Sequence, residues 1–286
     1  MRIKRTVLSF LLVLLCLSLK TPPAFTEKNP ETQASVPASS ESKPETQKSS
    51  LPPHRLKIVV NVPTMTLALM EGDKIVKQYN VAVGQPKYPT PPGNYNVERI
   101  EWNPWWLPPD SDWAKDAEKT PPGPKNPLGP VKLVMETDLR IHGTNKDKSV
   151  GKPSSHACFR MHNEEAKELA WYIQIRASQK TDESLQEKYA KNRSSTFVVP
   201  LELPVPVEVV YEPISLKDGQ IEIYPDIYWR VKLKDKIADV LQKAGMNLDL
   251  FDAKKIAAVK RPSKFTQIPV TSLLQEVSFA SPTTQP

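Results

Sequence analysis

Proline recurs through this chain at a density ill suited to a helical bundle, with 30 prolines against 9 glycines in 286 residues. Proline lacks the N–H that a helix or sheet ladder needs, so it collects in loops, turns and strand edges. The expected fold class is therefore mainly β, with long ordered loops. Runs of β-branched and apolar residues agree, at 57–62, 64–70, 75–83, 94–100, 131–135 and 139–143. Glu71-Gly72-Asp73-Lys74 reads as a hairpin turn. Later strands are expected at 205–211 and 220–224. Two stretches read as helix. In 164–175, Leu169, Ala170 and Ile173 share one face, Asn163 is the expected N-cap, and Glu164 and Glu165 suit the first turn. The second, 234–243, is amphipathic and belongs to a small C-terminal appendage.

The ends differ from the middle. Arg2, Lys4 and Arg5 precede an apolar run from Val7 to Leu19, the pattern of an export signal and too short to span a bilayer comfortably. Ala24-Phe25-Thr26 offers a cleavage site. Cys16 lies inside the run, but Leu15 before it is not the small residue that lipidation needs. Residues 1–26 are thus read as a signal peptide or N-terminal anchor. Residues 27–54 are rich in Pro, Ser, Glu and Lys and bury too little apolar surface to order, which makes them a tether. The main domain is expected at 55–212, the appendage at 213–270 and a disordered tail at 271–286. The net charge of +7 owes much to the leader, since the remainder carries 35 basic against 32 acidic residues. No basic stripe interleaved with aromatics appears, so nucleic acid is not an expected partner.

Chemistry concentrates between 142 and 163. Three of the four histidines and the only cysteine outside the leader fall here. An exported protein with one unpaired thiol invites a catalytic explanation. In an acyl transfer Cys158 would attack a carbonyl and His142 would take its proton and return it to the leaving amine. The Gly143 carbonyl could hold the His142 ring in one tautomer. Backbone N–H groups at His156, Ala157 and Cys158 could meet the oxyanion, and the small Ser155 and Ala157 leave room for substrate. Arg160 could bind a substrate carboxylate or amide carbonyl, and Arg160 or an imidazolium would lower the thiol pKa. His142 and Cys158 are too far apart in sequence to share a helical turn, so only adjacent strands can join them. A zinc site built from His142, His156, Cys158 and His162 is the rival, with less usual spacing; His162 reads as a surface or capping residue. Four of the six tryptophans lie between 102 and 113, on a proline-rich loop that is either pinned to the sheet or a lid over the substrate.

The string Ser155-His156-Ala157-Cys158-Phe159-Arg160-Met161-His162-Asn163, with His142-Gly143-Thr144 upstream, resembles the signature of the L,D-transpeptidase (YkuD-like) catalytic domain. The likeness runs through the 83–93 and 123–129 loops and covers about residues 56–212. It implies an L,D-transpeptidase-like β-sandwich with one or two helices packed on it. It also implies Cys158 as nucleophile, His142 as base, the Gly143 carbonyl as orienting group and His156 beside the nucleophile, with Ser155 and Ala157 shaping the oxyanion site. Arg160 and Asn163 are then the expected substrate contacts. No cofactor or metal is expected. The implied activity joins peptidoglycan stem peptides, with expected sensitivity to carbapenems. Alternatives are an L,D-carboxypeptidase, attachment of an envelope protein to the wall, or a silent wall-binding module. The implied location is the cell envelope or periplasm, touching membrane only through an uncleaved leader. One departure stands out: Ala157 replaces the family's glycine. In ordinary extended dihedrals alanine would fit there, and Ala157→Gly would cost about 0.5–1 kcal/mol.

Overall fold

The computed structural model describes residues 55–276; the expected leader and tether, and residues 277–286, lie outside the described residues. In chain order the elements are β1 (Leu56–Asn61), β2 (Thr66–Glu71), β3 (Lys74–Asn80), β4 (Val83–Gly84), β5 (Gly93–Trp102), β6 (Val131–Met135), β7 (Arg140–His142), β8 (Pro153–Ser155) and β9 (Phe159–Arg160). There follow α1 (Asn163–Ala177), α2 (Ser184–Lys191), β10 (Phe197–Val210), β11 (Ile214–Lys217), β12 (Gln220–Ile223), α3 (Leu233–Lys243), α4 (Ala253–Ala258) and β13 (Thr266–Pro269).

The fold is mainly β. Eight strands form one curled sheet in the order β3-β2-β1-β10-β5-β6-β7-β9, and β4 pairs separately with β8. Strand alternation decides which side chains enter the core. In β1, Leu56, Ile58 and Val60 are buried while Lys57, Val59 and Asn61 are half-buried, and β2 inserts Leu67 and Leu69 beside them. Helix α1 covers this layer with Ala166, Leu169, Ala170, Ile173 and Ala177. Its N-cap is His162 rather than the expected Asn163, which is the first helical residue and directs its side chain elsewhere.

Helix α2 was not anticipated, because only Tyr189 of its eight residues is buried and the apolar pattern is too thin to read. Tyr189, with Leu185 packed against the core beside it, anchors the helix. Tyr189 stacks on Trp102 at 5.0 Å, and Trp102 Nε1 donates to Gln174 Oε1 at 2.7 Å. β10 begins eight residues before the expected strand, running through Pro200, Pro204 and Pro206. A register shift between Pro200 and Val205 against β5 accommodates the missing donors.

A second core gathers Ile214, Ile221, Ile223, Ile237, Leu241, Phe251, Val270 and Leu273 from β11, β12, α3 and the segments after it. The expectation of a disordered tail from 271 is corrected as far as Glu276. Val270 and Leu273 are buried, and Gln275 N–H donates to the Leu250 carbonyl at 3.0 Å, so apolar burial orders this stretch.

Candidate active site

Two short strands bring the distant segments together. β7 and β9 run parallel, pairing Ile141 with Phe159 and His142 with Arg160. Ile141 and Phe159 are fully buried on the core side. Alternation then turns Arg140, His142 and Arg160 to the opposite face, with Cys158 entering β9 on that side. Met161 N–H donates to the His142 carbonyl at 2.9 Å and locks this register. Arg140, which the sequence reading passed over, therefore flanks Cys158. It is two residues before His142 on one strand, a period-2 signal that would have found it.

The His142 ring is buried, and its Nδ1 lies 2.6 Å from the Gly143 carbonyl. A carbonyl only accepts, so Nδ1 carries the proton and Nε2 is left as the basic nitrogen. Burial pulls the His142 pKa down to about 4; Arg160, Lys132 and Arg140 add to this and the Gly143 bond opposes it. A Cβ on Gly143 would collide with Asn163 Oδ1 and press on Pro130 Cδ, so a larger residue would have to displace the Asn163 side chain. That oxygen accepts from Thr144 N–H at 2.8 Å. Asn163 thus ties the chain just after His142 to the start of α1, and its oxygen is already committed within the protein.

Arg160 pulls the thiol pKa down as expected, but the net shift is upward. Burial pushes the Cys158 thiol up, outweighing Arg140 and Arg160, which pull it down. Sγ lies a long 3.7 Å from the Asp138 carbonyl and also meets the Arg140 backbone N–H. Burial thus disfavours the charged form of both Cys158 and His142. Arg160 Nη1 donates to the Ser154 carbonyl at 3.2 Å, and Ser155 Oγ donates to the Cys158 carbonyl at 2.5 Å. Both bonds brace the loop around the thiol.

His156 sits in an aromatic sandwich. Trp113 stacks on it with centroids 3.9 Å apart and planes 7° apart, and Tyr88 tilts against it at 4.7 Å. Burial, with Arg160, Lys146 and Lys87, lowers its pKa. The tryptophan loop is therefore pinned at Trp102 and touches the site at Trp113. His162 lies exposed, with Nδ1 3.4 Å from Asp147 Oδ1. Among the described residues no group of three or more His, Cys, Asp or Glu side chains is arranged to hold a metal. A groove of about 830 Å³ between α1, α2 and the 123–130 loop reaches Thr144 and Asn163, but neither His142 nor Cys158 lines it.

Ala157 does not have the extended dihedrals expected of it. Its φ is +78°, where a Cβ crowds the backbone and glycine does not. Such a conformation costs alanine about 1–2 kcal/mol, offset in part by glycine's greater freedom in the unfolded chain. Ala157→Gly is thus expected to raise stability by about 1 kcal/mol in urea unfolding, reversing the sign expected from sequence. A destabilised glycine variant would contradict the strain.

A Bacillus subtilis protein named as L,D-transpeptidase YqjB is 36% identical over 124 residues, covering 41% of this chain and 66% of the relative. A Bacillus licheniformis protein named as L,D-transpeptidase YkuD is 33% identical over 115 residues, covering 40% of this chain and 58% of the relative. The Escherichia coli protein named as L,D-transpeptidase ErfK/SrfK is 34% identical over 125 residues, 40% of each chain. The chain thus spans less than two thirds of the length of these relatives. The family model for the L,D-transpeptidase catalytic domain matches residues 55–199, half of the chain, and the chain belongs to that family, YkuD.

Proposed function

We propose that this chain is a cysteine-dependent L,D-transpeptidase that cross-links peptidoglycan stem peptides in the cell envelope. The observation that carries the reading is the pairing of β7 with β9. It sets a histidine with a free Nε2 on the same face as the sole thiol of the described residues. Cys158 Sγ attacks the carbonyl next to a D-residue while His142 Nε2 takes the thiol proton. Charge gathers on the carbonyl oxygen, within reach of the Cys158 N–H in the loop shaped by Ser155, His156 and Ala157. Collapse breaks the peptide bond, His142 returns the proton to the leaving amine, and the terminal D-amino acid departs. A second amine then attacks the thioester, giving an amide and restoring the thiol. Arg160 and Asn163 help seat the stem, Arg160 by its charge and Asn163 by holding the His142–Thr144 segment.

Burial disfavours both charged forms, and in this reading His142 acts as a general base during attack. Purified protein incubated with tetrapeptide stems, with and without an amine acceptor, tests the reading by product mass. Cross-linked product is expected. Tripeptide alone would make the protein an L,D-carboxypeptidase, a product joined to an envelope protein would name that acceptor, and unchanged stems would overturn the reading.

A further inference from the structure

The C-terminal segment reaches the nucleophile loop through four linked hydrogen bonds. Gly84 N–H donates to Thr90 Oγ1 at 2.8 Å, and Thr90 Oγ1 donates to the Ala157 carbonyl at 2.7 Å. Thr90 N–H donates to Tyr228 Oη at 3.1 Å, and Tyr228 Oη donates to the Gly84 carbonyl at 2.5 Å. Every polar atom named is thereby satisfied in a place where Thr90 is fully buried. A Cβ on Gly84 would collide with the Tyr88 carbonyl and press on Thr90 N, so this approach needs glycine.

The residues around Tyr228 hold it in turn. Asp226 is buried and accepts from Tyr211 Oη at 2.6 Å, Arg230 N–H at 2.9 Å and Val231 N–H at 3.0 Å, and pairs with Arg261. Burial pushes its carboxyl pKa up, and these donors outweigh that and leave it lowered. Tyr228 N–H donates to Tyr211 Oη at 2.8 Å, and the two rings stack 5.5 Å apart. The 225–231 turn is thus a preformed mount for one hydroxyl.

We propose that Tyr228 is a positioning residue for the reaction, acting through Thr90 on the peptide that joins Ala157 to Cys158. A trans peptide is planar, with C=O and N–H pointing opposite ways. Holding the Ala157 carbonyl therefore aims the Cys158 N–H, the donor that the proposed mechanism places at the oxyanion. The clip restrains this peptide next to a residue that is strained at its positive φ. Without it, the strained residue gains freedom to relax and turn that N–H aside. The proposal rests on the reading of Cys158 as nucleophile.

Acylation of Cys158 by a carbapenem, followed by stopped-flow and intact mass, separates the rate constant of acylation from the affinity of the encounter complex. Tyr228→Phe keeps the ring against Tyr211 and removes only the hydroxyl. It is expected to lower the acylation rate constant about tenfold with affinity unchanged, since a misaimed donor weakens transition-state stabilisation selectively. Thr90→Val should lower it at least as far, and Thr90→Ser, which keeps the hydroxyl, should restore it to within about twofold. Should Thr90→Val not fold, Tyr228→Phe alone carries the test. A Tyr228→Phe protein that acylates at the wild-type rate, or that loses affinity alone, overturns the proposal. A wild-type protein that the carbapenem does not acylate overturns the reading of Cys158 as well, which keeps the two failures distinct.

Discussion

Replacing Cys158 by serine is expected to leave the fold intact and to abolish turnover, by at least about a thousandfold. Sγ meets the Asp138 carbonyl at a long 3.7 Å and the Arg140 backbone N–H, contacts that a serine oxygen can keep, so little structure depends on sulfur. Serine presents an oxygen at nearly the same place, but its hydroxyl gives up a proton far less readily. In the proposed mechanism attack goes with proton transfer to His142, and that proton is harder to take from oxygen. The measurement is covalent adduct by intact mass, beside a thermal unfolding curve that shows the variant folded. Turnover close to wild type in the serine protein would exclude Cys158 as the nucleophile.

His142→Gln should cost acylation about 10²–10⁴-fold, the usual worth of a positioned general base. The pH dependence makes this more specific. Burial draws the His142 pKa to about 4 against an ordinary 6.5. The acid limb of acylation should therefore lie near pH 4, with a flat rate through pH 6.5 where an ordinary histidine would switch off. Stability must follow the same group. Between pH 6.5 and 4 the unfolded chain binds a proton that folded His142 refuses, so folding weakens as pH falls through this window. The stabilisation is present above pH 6.5 and lost by pH 4, about 3 kcal/mol for a shift of this size. Urea unfolding from pH 7 to pH 4 should show the decline in the wild type and lose this component in His142→Gln. An acid limb at pH 6.5, or loss of acylation only on replacing His156, would reassign the base.

The two histidines show how much of the site was legible. Residue types alone marked the window, because thiol and imidazole are rare in this chain and fall close together. The 57–62 run and its neighbours likewise announced strands, since a period of two is a local property that needs no partner. The amphipathic face of α1 was legible for the same reason. How each ring is held was not legible: the Gly143 carbonyl bonds Nδ1 of His142, while Trp113 and Tyr88 pack against the ring of His156.

From the chain itself came the mainly β class, the helix over the sheet, the candidate thiol and imidazole, and the family resemblance that the match over 55–199 bears out. Each of these rests on residue type and short-range pattern. Tertiary structure alone decided the direction of the thiol pKa, because two arginines and burial act on it oppositely and only packing says which prevails. It decided that proline-bearing β10 runs between β1 and β5, by placing a register shift where the donors are missing. It also put Ala157 at φ +78° and joined Thr90 to Tyr228 across 138 residues of chain. Such terms arise between segments that meet only after folding, so no local pattern carries them.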